Sequence, residues 1–318
     1  MTIALVEIGT RAIRLLVVAA DEKSGFQIVA TGVEDSPLSA APVPYVGVAK
    51  SARELRSTID KLLRSASHHV VDEVLVFGTH SVRKLGDVAV QELLNNVPNL
   101  RVLSAVEEAR ACHASACLVA NLIGVHASTI ISGDIGHGSF ELCVGGMPTP
   151  GICDQFLVTE FGSQRLLELY LNGGVAEVER GVAGAFAKEP FAHVPRQGAL
   201  LFFSGSPATK FAWLMYRSSI CDNIGIPYDM QKVQGAVFTQ DVVVENLAVL
   251  DRLRTKNRDK AAQLVSPANP QSHEVEVLIA GLQVIRSTME RTHQGRFLVN
   301  AFGARHGVAW MRLHGLTL

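Results

Sequence analysis

The chain has 318 residues, with hydrophobic residues at 48% and charged residues at 19%. That length allows two domains, and that composition excludes a disordered chain. The net charge of −1 leaves no global basic field to recruit DNA, RNA or a membrane surface, and no apolar run approaches the length that spans a bilayer.

Five cysteines, Cys112, Cys117, Cys143, Cys153 and Cys221, are odd in number and contain no CxxC pair. Neither zinc nor a disulfide framework is expected, and reduced, mostly buried thiols fit a cytoplasmic protein. The opening MTIALVEIG lacks the basic and long apolar regions of a signal peptide.

In chain order, IALVEI (3–8) and IRLLVV (13–18) read as strands around a turn at Gly9–Thr10, and 27–32 as a third strand. Pro37, Pro42 and Pro44 mark a loop. Ser51 with Glu54 has the spacing of a capping box, and Leu55, Ile59, Leu62 and Leu63 follow at helical spacing. EVLVFG (73–78) and LRVL (100–103) are strands, and a helix is predicted to begin after Ser104 and run to about Val119.

The second half repeats the plan. Strands are expected over 128–134 and 139–145 around Gly136–Gly138, then over 153–158, 199–204 and 297–301. Helices are expected over 163–172, 207–217, 241–262 and 274–292, with a last helix in ARHGVAWMRL. Alternating strands and helices favour α/β layers.

A weak internal repeat sits inside this plan. Val6-Glu7-Ile8-Gly9-Thr10 precedes one apolar strand, and Gly133-Asp134-Ile135-Gly136-His137 precedes another. Each unit is strand, acid-Ile-Gly, tight turn, strand. On its own, each fits an ordinary hairpin. Repeated, the device suggests two nests of backbone N–H groups facing each other across a cleft and holding phosphate oxygens. A carboxylate there would repel phosphate unless a divalent cation bridges the two, as Mg²⁺ does.

Three other segments carry candidate chemistry. In LSAVEEAR, Ser104 and Glu107 have capping-box spacing, which gives Glu107 a structural task. Glu108 is left as a possible general base, although the helix dipole alone also favours acid there. In GTHSVRK, Arg83 lies past the end of a strand, where a guanidinium can clamp phosphate or simply face solvent. His80 and His137 lack metal-ligand spacing. FFSGSPATKFAWL is a strand, a small-residue turn and a helix start able to hold an anion, without a Walker phosphate-loop pattern.

These pieces, in this order, resemble the exopolyphosphatase/guanosine pentaphosphate phosphohydrolase (Ppx/GppA) family over nearly the whole chain. VEIGTRAIRLLVV is similar to the family's first phosphate loop, usually DIGSNSxRL. THSVR resembles TSAxR, LSAVEEAR resembles SGxEEAR, and GDIGHGSFEL resembles DIGGGSTEL. TEFGSQRL and FGARHGV are similar to LGAVRL and the closing GLREG. Departures are Glu7 for Asp, Arg11 for Asn, Ala105 for Gly, His137 for the middle glycine and Phe140 for Thr.

The resemblance implies an α/β, two-domain acetate kinase/sugar kinase/Hsp70/actin-type (ribonuclease H-like) fold. The first domain would comprise 1–117 plus the helix at 303–318, the second 118–302, with the active site in the cleft between them. It implies a phosphoanhydride hydrolase acting on polyphosphate or guanosine pentaphosphate. Glu108 and Glu141 would be catalytic, Mg²⁺ would be held by Glu7, Asp134 and Glu141, and phosphate by Gly9, Thr10, Arg11, Arg83, Gly136, His137, Gly138 and Ser139. The altered loops leave a non-hydrolytic polyphosphate or nucleotide sensor as the alternative. A kinase or ATPase on the same fold lacks a supporting insertion. A homodimer is left open. The sequence closes soon after ARHGVAWMRL, so no long extra C-terminal domain is expected.

Overall fold

A computed structural model describes residues 1–21, 25–40, 48–147, 153, 155–188, 198–220, 230–265 and 273–317. Pro42, Pro44 and Cys221 lie outside them. The chain divides into two compact units, Met1–Ala114 with Ala304–Leu318, and Ser115–Gly303.

The first unit is built on five strands. These are β1 (Thr2–Ile8), β2 (Ala12–Ala19), β3 (Gln27–Asp35), β4 (Glu73–Gly78) and β5 (Leu100–Val102), in the order β3-β2-β1-β4-β5. β1 pairs antiparallel with β2 and parallel with β4. Burial explains the order. Ile3 to Val6 are all buried, as a strand covered on both faces must be, whereas β3 alternates towards solvent and forms an edge.

Helix α1 (Val48–Ser65) lays Leu55, Ile59 and Leu62 on this sheet. It starts before Ser51, so that residue is interior to the helix and the expected capping box does not mark its beginning. Two short helices, α2 (His80–Arg83) and α3 (Asp87–Asn96), follow β4, and α4 (Ala105–Leu122) follows β5. The capping box predicted for α4 is present in both directions. Glu107 N–H donates to Ser104 Oγ at 3.2 Å, and Ser104 N–H donates to Glu107 Oε2 at 2.7 Å.

The second unit repeats the same centre. Its strands are β6 (Thr129–Ile135), β7 (Phe140–Gly146), β8 (Gln155–Thr159), β9 (Ala199–Gly205), β10 (Val237–Thr239) and β11 (Arg296–Val299). They lie in the order β10-β11-β9-β6-β7-β8. β6 pairs antiparallel with β7 and parallel with β9, as β1 does with β2 and β4.

Helix α5 (Ser163–Lys188) is two segments meeting at Gly173–Gly174, where Gly174 has φ of 65°. It is followed by α6 (Ser206–Ile220), α7 (Gln240–Lys256), α8 (Arg258–Val265) and α9 (Glu274–Arg291). One helix was expected over 241–262. The chain breaks instead at Asn257, whose side chain accepts the Lys260 N–H at 3.0 Å and so starts α8 afresh. α9 is apolar on most sides and packs on α5, α6 and α7, as a central buried helix should. The last helix, α10 (Ala304–Leu313), belongs to the first unit and packs on β1 and β2.

The cysteines require a correction. Cys143 of β7 is bonded to Cys153, ten residues on, where no disulfide was expected. Odd number and missing CxxC spacing are blind to a pair brought together by a strand and the chain returning beside it. Cys112 and Cys117 are buried and outside any disulfide. Among the described residues no helix is long and apolar enough to cross a membrane.

Candidate active site

The first strand-turn-strand closes with the Gly9 N–H donating to the Ala12 carbonyl at 3.0 Å. A side chain at Gly9 would place its Cβ 3.0 Å from that same oxygen, so any other residue would press on the turn. Thr10 is half-buried and Arg11 is exposed, its carbonyl accepting from Ser36 N–H at 3.0 Å.

The register sets Glu7 opposite Arg14 on one face of the sheet. Arg14's guanidinium also reaches the turn, with NH1 3.4 Å from where a Cβ on Gly9 would sit. From the far end of the chain, Arg305 donates to Glu7 Oε2 at 2.8 Å, both side chains mostly buried. Burial pulls the Arg305 pKa below its ordinary value. Glu7 opposes that shift, and Arg14's charge adds to it. Glu7, expected to help hold Mg²⁺, is thus already matched by a guanidinium and does not fit the part of a metal ligand.

In the same unit, two residues expected to work separately are paired. Arg83 NH1 donates to Glu108 Oε2 at 2.7 Å and to the Leu103 carbonyl at 2.8 Å. Glu108 is buried, so the guanidinium fixes where its carboxylate points. Its neighbour Glu107 is a capping residue in fact. Partial burial opposes its ionisation, but hydrogen bonds from Ser104 and the Arg101 guanidinium hold it below the ordinary carboxylate value.

The second strand-turn-strand closes in the same way, with Gly136 N–H donating to the Ser139 carbonyl at 3.0 Å. Asp134, Gly136, His137 and Gly138 are half-exposed between buried Ile135, Ser139 and Phe140, so the turn opens to solvent at the end of buried strands. Here the register sets acid against acid. Asp134 lies opposite Glu141, their side chains on one face. Ser204 at the end of β9 donates to Asp134 Oδ1.

Two carboxylates in opposed positions are unfavourable unless a cation comes between them. Half-exposed Asp134 beside buried Glu141 is a donor set of the kind Mg²⁺ takes, with waters and phosphate oxygens completing its shell. The residues present therefore fit a divalent cation at the second turn and not at the first.

Sequence reasoning missed four residues that shape these turns: Arg14, Arg305, Ser163 and Ser204. Arg14 was readable, since it stands as far beyond the first turn as Glu7 stands before it. Ser163, first residue of α5, hydrogen-bonds His137 at 3.1 Å. Ser204 and Arg305 carry no local signal, being brought in by parallel pairing and by the returning C-terminal helix.

No family model and no curated protein matches the chain. Solved structures do. The chain is similar to the Aquifex aeolicus member of the Ppx/GppA protein family, with a TM-score of 0.76, 18% identity, and 99% and 98% of the two chains covered. It is similar to an exopolyphosphatase from Cytophaga hutchinsonii, with a TM-score of 0.75, 14% identity, and coverage of 100% and 99%. An exopolyphosphatase-like protein gives 0.73, at 16% identity and coverage of 98% and 97%. The fold is therefore the one the motifs implied, the α/β two-domain acetate kinase/sugar kinase/Hsp70/actin type.

Proposed function

We propose that this protein is a phosphoanhydride hydrolase that releases terminal phosphate from inorganic polyphosphate or guanosine pentaphosphate. The observation that carries the reading is Glu108, a buried carboxylate aimed by Arg83 in a fold shared with exopolyphosphatases. A general base needs a fixed direction and a water within reach.

Glu108 takes a proton from water as its oxygen bonds to the terminal phosphorus. The bridging P–O bond breaks, and its electrons stay on the shortened chain. Backbone N–H groups at 136–139 hold the phosphoryl oxygens, and positioning of this kind supplies most of the catalysis in phosphoryl transfer. Mg²⁺, when bound by Asp134 and Glu141, supplies charge neutralisation. Arg83 positions the base. The cytoplasm stays the proposed location, resting on Cys112 and Cys117 being outside any disulfide, with the Cys143–Cys153 bond weighing against it.

One observation favours the non-hydrolytic sensor as a second reading. Glu7, where the resemblance implies a metal-binding acid, is held by Arg305. Phosphate release from long-chain polyphosphate and from guanosine pentaphosphate, each with Mg²⁺ or with EDTA, separates the two. Hydrolysis of either substrate, dependent on Mg²⁺, supports the hydrolase. Binding of both without release supports the sensor.

A further inference from the structure

β8 lies at the edge of its sheet and pairs with β7, from Gln155 opposite Val144 to Thr159 opposite Phe140. Short edge strands open locally more readily than central ones. At its start, the Cys143–Cys153 bond ties the chain to β7 two residues before β8 begins, with the two Cα atoms 6.0 Å apart. At its end, the chain holds the second turn. Thr159 Oγ1 donates to the Phe140 carbonyl at 3.3 Å and accepts the Phe161 N–H at 3.2 Å. Gly162 then passes so close to the turn that a Cβ on it would lie 2.4 Å from both Gly138 C and Ser139 N. Ser163 N–H donates to the Gly136 carbonyl at 2.9 Å, and Gln164 N–H to the His137 carbonyl at 3.1 Å. Five residues of strand, about 17 Å, join the sulfur bridge to this clamp on the turn.

The two sulfurs differ in access. Cys143 is buried and Cys153 is half-buried. Thiol–disulfide exchange needs a sulfur that a thiolate can reach, so attack from solvent falls on Cys153. A dithiol reductant supplies the two electrons. One of its thiolates bonds to Cys153 Sγ as the Cys143–Cys153 bond breaks. The electron pair of that bond leaves on the Cys143 sulfur, which takes a proton. The reductant's second thiolate bonds to its first sulfur and releases Cys153, which takes a second proton. The reductant departs as a disulfide. In a reducing compartment such as the proposed cytoplasm, disulfides are usually transient and redox-sensing.

We propose that Cys143–Cys153 is a reversible redox site whose oxidation sets how firmly β8 holds the second turn. A bridge between positions ten apart disfavours the opened chain by on the order of a hundredfold, through loop closure. Reduction removes that factor and leaves β8 to its ladder and to Leu157, its buried apolar residue. For what the turn then does, the inference rests on the reading of that turn as a phosphate site. The closed turn presents its N–H groups together, so affinity for phosphate oxygens falls with the closed fraction.

The test compares oxidised wild type, wild type reduced while folded by dithiothreitol that is then removed, and Cys153→Ser. Maleimide labelling after unfolding should count two more thiols in the reduced protein than in the oxidised one. Amide hydrogen exchange at 155–159, Ser163 and Gln164 should speed up on reduction, by up to about a hundredfold. Calorimetric affinity for inorganic tripolyphosphate, with Mg²⁺, should weaken roughly threefold or more. Oxidised glutathione should reverse all three changes. Cys153→Ser should match reduced wild type with or without dithiothreitol.

Failure of dithiothreitol to release the two thiols from the folded protein overturns the redox site. Unchanged exchange after their release overturns its hold on the turn, as does equal tripolyphosphate affinity in two states that both bind it. A dithiothreitol effect of the same size in Cys153→Ser traces the change elsewhere and overturns the inference too. The two states of wild type decide the matter even where Cys153→Ser fails to fold. Exchange that responds, with tripolyphosphate bound in neither state, supports the redox site and overturns the phosphate reading of the turn instead.

Discussion

The two hairpins, β1-β2 and β6-β7, share a backbone and differ in charge. Each has a glycine N–H closing its turn at 3.0 Å, and each first strand has an antiparallel partner on one side and a parallel one on the other. In the first hairpin the acid, Glu7, stands opposite Arg14 and is gripped by Arg305. In the second the acid, Asp134, stands opposite Glu141. One hairpin sets its acid across from a base, and the other sets acid across from acid. A repeated loop therefore need not be a repeated function. The residue across the ladder is what differs between them, Arg14 in one and Glu141 in the other.

The comparison breaks most visibly at the second hairpin. Asp134→Asn should lower phosphate release by at least about 10²-fold, since it removes half of the acid pair at the place where phosphoryl charge is neutralised. Mg²⁺ should raise the melting temperature of wild type and not of this variant. A variant that keeps that rise would show that the cation binds elsewhere.

At the first hairpin the expected effect is on stability. Glu7→Gln leaves the Arg305 guanidinium mostly buried without its counter-charge, at a cost of about 2–3 kcal/mol in urea unfolding. The response of melting temperature to Mg²⁺ should survive. Loss of that response, with stability unchanged, would reverse the assignment of the two hairpins.

A smaller effect follows from His306, next to Arg305. Burial, with the Arg305 charge beside it, holds its pKa well below the ordinary value of 6.5. The folded protein therefore keeps His306 neutral where the unfolded chain takes up a proton. Its contribution is fully present above about pH 6.5 and is lost as pH falls from there towards the depressed folded value, by up to about 1.4 kcal/mol per pH unit. Unfolding measured from pH 8 to pH 5 in wild type and His306→Gln should show this slope only in wild type.

The smallest effect is expected at Glu107. Glu107→Gln keeps the cap on α4 and loses only a pair with exposed Arg101, so stability should change by no more than about 0.5 kcal/mol and activity should be kept.

Much of this was legible along the chain, because it is written at short range. The two hairpins follow from apolar runs on either side of a glycine turn, and the α4 cap from residues three apart. α3 was missed because it buries only Ala89 and Leu93 of its ten residues, too little to write a period. The Glu7–Arg305 pair was missed because the chain closes on itself across 298 positions. The Ser163–His137 contact depends on Gly162, whose missing side chain signals nothing until the neighbouring backbone is seen. Arg83 and Glu108 were each singled out, but their pairing depends on α2 turning back beside the end of β5, and α2 is too short to be read from its sequence.

The most direct test is the rate of phosphate release from long-chain polyphosphate, with Mg²⁺, by wild type and by Glu108→Gln, alongside the affinity of each for the same polymer. Wild type should release phosphate, and the variant should bind as tightly but turn over roughly 10²-fold more slowly or worse. Equal rates of release in the two proteins would contradict Glu108 as the base, and binding by both with release by neither would contradict the hydrolase.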